Sequence, residues 1–471
     1  MIFSSLFFVI AFLPITLILY YVVPSRLKNY VLLLCSLIFY AWGEPVYILL
    51  MIFSILFNYV SGIAIDHYRN LRSPASMKLC LITTVIVNIA ILGFFKYFGL
   101  FVSTFASIFG IQSSYSALAL PIGISFYTFQ ALSYIIDLYW GNVEVQKNIV
   151  SFGVYITMFP QLIAGPIVRY ADIEAQLKNK NLSPAHFGEG VCWFIRGLAK
   201  KIILANNIGA VHEAIAAMSG DERSVVTAWL GALCYTMQIY FDFGGYSDMA
   251  IGLGKMLGFD FVKNFDYPYT SRSITEFWRR WHISLGTWFR EYVYIPLGGN
   301  RVSVLKNVRN IMIVWMLTGF WHGASWNFLL WGIYYGLLLL IEKFLLKNVM
   351  DRIPGFIRQI VTFVLVVLGW VIFFSDDIGT AFSYIGSMFG SGSRAFIDST
   401  ALYYIGTNII LLIICCIATR PFVWNLWQNI VIKKQKSFGQ IITVILYGLM
   451  LFICIAYMVN NTYNPFLYFR F

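Results

Sequence analysis

Long uninterrupted apolar runs dominate the chain. Residues 81 to 95 (LITTVIVNIAILGFF) and 361 to 374 (VTFVLVVLGWVIFF) are almost continuous in this respect. Neither shows the period-two alternation of a half-buried strand or a membrane β-barrel, so they predict helices that are apolar on every side. About 20 such residues cross the ~30 Å hydrocarbon core of a bilayer. The opening stretch, Ile2 to Val23, is long enough to span and ends at Pro24, Arg26 and Lys28. With no basic residue before it, it reads as a membrane anchor rather than a cleaved signal.

Composition makes the class firm. Of 471 residues, 59% are hydrophobic, 18% aromatic and only 11% charged, with a mean hydropathy of +0.75. Soluble domains carry about 25% charged residues, so a soluble globular enzyme is excluded, as are disordered and collagen-like chains. The expected fold is an all-α integral membrane protein, and the length allows on the order of ten to twelve spans. The net charge of +12 (33 Lys and Arg against 21 Asp and Glu) needs no nucleic-acid partner, because membrane proteins retain basic residues in cytoplasmic loops. The seven cysteines show no CxxC spacing and read as packing residues, with neither a disulfide framework nor a zinc site supported.

Charge also sets an orientation. Placing Arg26 and Lys28 inside puts the N-terminus outside, and Arg69, Arg72 and Lys78 return inside after two further spans. Lys343, Lys347, Arg352 and Arg358 form one inner loop, and Lys433, Lys434 and Lys436 another. Between them, Asp376, Asp377 and Asp398 against Arg394 suit an outer loop, which leaves the C-terminus outside as well.

The middle breaks the pattern. From Lys255 to Arg309 there are nine basic and four acidic residues among Trp, Tyr and Phe, so +5 of the +12 sits in one stretch. A lipid-facing helix cannot hold it, since each central charge costs at least about 2.5 kcal/mol. It is a cytoplasmic amphipathic and re-entrant region or the lining of a cavity. The run FPQLIAGPIVRY, Phe159 to Tyr170, holds Pro160, Gly165 and Pro166, which interrupt any helix and need cover from protein or a wet cavity at membrane depth. The glycines of GGYSDMAIGLGKMLG, Gly244 to Gly258, read as helix-packing positions. No inverted repeat, nucleotide loop, HExxH pair or GxSxG elbow is evident.

Five histidines carry the candidate chemistry. His67, His186 and His212 lie in basic or polar stretches and read as ordinary surface residues. His322 instead sits in TGFWHGASW, inside an apolar stretch from about Ile311 to Leu340. An ionisable group there points to function, against the plainer reading of a buried histidine satisfied by a neighbouring helix. Gly319 and Gly323 beside it allow another helix or a substrate close approach. His282 lies in EFWRRWHISLGTWFREY, which reads as one amphipathic helix with Trp278, His282, Leu285 and Phe289 on a common face. That helix either lies at the membrane interface or forms a cytoplasmic mouth that attracts an anionic cosubstrate.

Two histidines forty positions apart, one in an arginine-tryptophan helix and one buried, resemble the membrane-bound O-acyltransferase family. NFDYPYTSRSITEFWRRWHISLGTWFREYVYIPLGGNR, Asn264 to Arg301, is similar to the central motif of its bacterial alginate and peptidoglycan O-acetylation branch. TGFWHGASWNFLLWG, Thr318 to Gly332, is similar to the segment bearing the family's catalytic histidine, here His322. LPIGISFYTFQALSYIIDLYWG, FPQLIAGPIVRY, IYFDFGGYSDMAIG and the final PFLYFRF add to the likeness, which spreads over the whole chain, residues 1 to 471, as a single domain. Tyr335 departs from it, because the branch often has histidine there.

The resemblance implies about eleven transmembrane helices, with re-entrant and amphipathic helices around a central tunnel and funnel, in a bacterial cytoplasmic (inner) membrane. It implies acetyl transfer from acetyl-CoA, with no other cofactor, to an exported or cell-wall polysaccharide or to an extracytoplasmic SGNH-like acetyltransferase partner. His322 would be general base or transient nucleophile. His282 would orient the donor or polarise its carbonyl, and Arg279, Arg280, Trp278, Trp281 and Asn264 would bind the donor. D-alanyl transfer to teichoic acid on the same fold, a transporter and a non-catalytic scaffold are the rivals.

Overall fold

The computed structural model describes every residue except 112–117, 164, 221, 393–394, 428, 430–435, 461–466 and 468–471, and leaves aside the side chains of 423 and 436–438. Arg394, Lys433, Lys434 and the Lys436 side chain therefore lie outside the described residues, as does most of the final PFLYFRF. All regular structure among the described residues is helical. The chain divides into two compact units, Met1–Phe194 with Ser247–Lys263, and Ile195–Tyr246 with Asn264–Phe471.

The first unit contains α1 (Ile48–Asn70), α2 (Pro74–Phe109) and α3 (Ile124–Trp140). Asn58 of α1 and Asn88 of α2 exchange amide hydrogen bonds of 3.2 and 2.9 Å, a polar clasp of the kind that joins helices where lipid offers no partner. The opening stretch forms a shorter apolar helix over Phe8–Val22 rather than a full span from Ile2. Within FPQLIAGPIVRY a single turn, Phe159–Leu162, survives, and its four residues are buried, which gives the irregular backbone protein cover. His186 corrects the surface reading: it is buried, with Nε2 3.4 Å from Asp260.

The second unit carries the candidate chemistry. Its elements include the part of α4 (Val225–Met256) up to Tyr246, α5 (Ile274–Arg280), α6 (Ile283–Phe289), α7 (Val304–His322), α8 (Trp326–Leu340), α9 (Gly355–Phe374), α10 (Ser399–Ala418) and α11 (Lys436–Asn460). The apolar stretch around His322 is two helices, because Gly323 is fully extended and Ser325 caps the next helix by accepting from Asn327 N. The two pack at glycine: a Cβ on Gly319 would run into the Phe328 carbonyl, and one on Gly332 into the Trp315 carbonyl. Gly332 and Gly336, four apart on α8, form the small-residue stripe that admits α7. His212 is also buried, its Nδ1 3.0 Å from the Gly231 carbonyl oxygen and its ring against Tyr235.

Six helices among the described residues are long and apolar enough to cross a membrane: α1, α2, α8 continued to Leu345, α9, α10 and Gly439–Asn460 of α11. Length and composition therefore support six of the roughly eleven expected crossings. Only 6% of the Gly439–Asn460 window and 11% of the Ser399–Ala418 window are buried within the protein, an exposure of apolar surface that suits lipid as the surrounding medium.

Candidate active site

His282 occupies a kink rather than the middle of a helix. Ser273 caps α5 by accepting from Glu276 N, α5 ends at Arg280, and α6 starts only at Ile283. His282 itself has φ +46°, in the left-handed region that non-glycine residues seldom adopt. The single amphipathic helix expected over this stretch is thus two short helices. The cause is Asn264, eighteen residues upstream: its carbonyl accepts from Ile283 N at 2.9 Å, and its Oδ1 accepts from Ser284 N at 3.2 Å and Ser284 Oγ at 2.9 Å. The same Oδ1 lies 3.2 Å from His282 Nδ1. Burial, the larger influence, pushes the imidazole down to about 3, so it is neutral at physiological pH.

The two candidate histidines meet around shared aromatic side chains. The Trp321 ring is 5.8 Å from the His282 ring and 5.0 Å from that of His322. His322 is the last residue of α7, buried, with its ring edge-on to Trp331 at 5.0 Å and Phe373 at 5.2 Å. Ending a helix at His322 frees its surroundings from the bulk of a following turn. A small cavity of about 20 Å³, enough for one water, is lined by His322 with Ile239, Asp242, Phe243, Trp281, Trp370, Phe373 and Leu467. Phe243 also packs edge-on against His282 at 4.8 Å.

The cavity adds one charged group, Asp242, and through it a second, Lys201, neither singled out by the sequence reading. Asp242 on α4 pairs with Lys201 at 2.5 Å, both side chains almost fully buried, and its Oδ2 accepts from Leu467 N at 2.9 Å. The available signal was Asp242 between two phenylalanines of IYFDFGGYSDMAIG, a segment quoted for its likeness to the family, whose Gly244 and Gly245 open the run expected to pack helices. Those glycines do pack helices: a Cβ on Gly245 would meet the Gly197 carbonyl at 2.7 Å.

The expected donor-binding residues separate. Trp281 is buried in an aromatic cluster with Phe265 and Trp370, at 5.0 and 4.7 Å, and lines the cavity. Trp278 packs elsewhere, against Trp315 at 4.7 Å and Tyr335 at 4.8 Å. Tyr335 is fully buried in that same aromatic group. Arg280 is held by Glu276 at 2.8 Å and Asp266 at 4.0 Å, whereas Arg279 is exposed and makes no ion pair among the described residues. Asn264 is buried beneath the kink. The described residues contain no cluster of three or more His, Cys, Asp or Glu placed to hold a metal.

Residues 144–375 match the model of MBOAT, the membrane-bound O-acyltransferase family. The chain is 43% identical over 397 residues to the probable alginate O-acetylase AlgI of Pseudomonas aeruginosa, covering 83% of this chain and 76% of that one. It is 34% identical over 425 residues to the peptidoglycan O-acetyltransferase of Helicobacter pylori, covering 83% and 80%. A teichoic acid D-alanyltransferase of Streptococcus thermophilus is 31% identical over 242 residues, covering 48% of this chain and 58% of that one.

Proposed function

The chain belongs to the membrane-bound O-acyltransferase family and is an acyltransferase, and we propose that it moves acetyl from cytosolic acetyl-CoA to a hydroxyl beyond the membrane. The acceptor is an exported or cell-wall polysaccharide, or an SGNH-like acetyltransferase partner that passes the group on. The relatives named for alginate and peptidoglycan O-acetylation favour a polysaccharide as the final acceptor. The setting is the inner membrane of a bacterium, with about eleven crossings, both termini outside, and a tunnel and funnel that converge on His322.

The observation that carries this reading is His322 at the end of α7, buried yet facing a cavity. A thioester is already activated, so the site must supply a deprotonated hydroxyl and hold the carbonyl in place. General-base help of this kind contributes about 10²- to 10⁴-fold. The acceptor oxygen bonds to the acyl carbon, its proton passes to His322, the C–S bond breaks, and the proton leaves on the thiolate sulfur. Attack by His322 itself, through a transient acyl-imidazole, gives the same products in two steps. Exposed Arg279, which makes no ion pair among the described residues, is a cation available for CoA phosphates at the cytoplasmic side.

D-alanyl transfer to teichoic acid is the second reading, favoured by the likeness to the D-alanyltransferase over about half the chain. His322→Ala tests the chemistry in cells. The variant is expected to insert at the wild-type level yet lose exported O-acetyl groups; normal acetylation by it would remove His322 from the mechanism. Loss of D-alanyl ester with acetyl ester unchanged would favour the second reading.

A further inference from the structure

We infer that Asn264 is a positioning residue that locks His282 in the neutral tautomer with its proton on Nδ1, so that Nε2 engages its ligand only as a hydrogen-bond acceptor. The inference rests on His282 standing in the acyl-transfer site proposed above. The orientation of the Asn264 amide is not free. Ser284 N–H can only donate, so the group 3.2 Å from it must be the amide oxygen, and the Ser284 hydroxyl donates to the same atom at 2.9 Å. His282 Nδ1 at 3.2 Å from that oxygen must then carry a hydrogen.

The backbone reinforces the lock. The Asn264 carbonyl accepts from Ile283 N, so one residue's two oxygens hold the left-handed turn and the ring together. His282 Nε2 is buried and makes no hydrogen bond among the described residues. With Nδ1 protonated and the ring neutral, that nitrogen bears a lone pair and no proton. In that state it cannot donate to the thioester carbonyl, so of the two roles expected of His282, orienting the donor and polarising its carbonyl, the first is favoured. What it accepts is a group presenting O–H, S–H or N–H: the acceptor hydroxyl, or the thiol as it leaves. An amide suits this position better than a carboxylate, which would favour the imidazolium and put a second proton on Nε2.

Nitrogen-15 histidine NMR of the full chain in nanodiscs reads the tautomer directly, with His282→Gln identifying the signal. A protonated Nδ1 and a bare Nε2 are expected; a proton on Nε2 would overturn the inference. Acyl-transfer pH profiles supply the second readout. Asn264→Asp is expected to raise the pH of the acidic limb by about one unit or more and to depress activity below it. Ser284→Ala, which removes a different donor to the same oxygen, should leave the limb in place. An unshifted limb in Asn264→Asp, or an equal shift in Ser284→Ala, would refute positioning through Nδ1. If the wild-type chain transfers no acyl group while the NMR shows the Nδ1–H form, the functional reading fails and the tautomer assignment stands.

Discussion

Replacing Asp242 with Asn removes a carboxylate that pairs with the buried Lys201 ammonium. The Lys201 and Asp242 side chains are 2% and 3% exposed and 2.5 Å apart. At an effective dielectric constant of about 20, their attraction at that distance is about 7 kcal/mol. Most of this offsets the desolvation of two ions, so the intact pair contributes little net stability. Removing one partner is different, because the other charge keeps its desolvation cost: about 3–5 kcal/mol is lost. Asn retains an oxygen for Leu467 N–H, so the loss isolates the charge. Lys201→Met should cost a similar amount, and the double variant much less than the two losses together. Equilibrium unfolding of detergent-solubilised protein, followed by tryptophan fluorescence, measures all four corners of this cycle. A coupling energy near zero, or Asp242→Asn within 1 kcal/mol of wild type, would refute the reasoning.

Other expectations follow from the same geometry. Gly319→Ala should destabilise by about 1–3 kcal/mol and lower acyl transfer, since its Cβ meets the Phe328 carbonyl and must part α7 from α8 near His322; an unchanged unfolding midpoint would count against it. His282, buried at about 3 instead of its ordinary 6.5, binds no proton in the folded state while the unfolded chain does. Its contribution is therefore complete above about pH 6.5 and is lost as pH falls toward 3, so His282→Gln should flatten the acid side of the stability curve. Charge reversal at exposed Arg279 should weaken acetyl-CoA binding severalfold at low salt, whereas Arg280→Glu should act mainly by disturbing Glu276 and Asp266. Equal effects of the two on donor affinity would return both to a headgroup role.

Sequence periodicity reached the helical membrane class, because apolar runs such as 361–374 state their environment locally. It also brought His282 and His322 forward, since ionisable groups among apolar and aromatic residues are costly without a purpose. It failed where a distant residue decides local form. EFWRRWHISLG has helical spacing throughout, and only Asn264, remote in sequence, turns it at His282. His186 and His212 misled for a related reason: their neighbours in sequence are polar, but folding buries both. Asp242 stands two positions before the glycine run, in a segment that carried only the family likeness, and its partner Lys201 lies forty-one positions away.

The central claim is that His322 serves acyl transfer from acetyl-CoA. The direct measurement is discharge of radiolabelled acetyl-CoA by the purified chain in proteoliposomes, with acceptor polysaccharide or partner supplied and no carrier protein. The account predicts acetyl ester on the acceptor, free CoA in equal amount, and neither with His322→Ala. Transfer that survives in His322→Ala, or discharge that occurs only from a D-alanyl-loaded carrier, would contradict it.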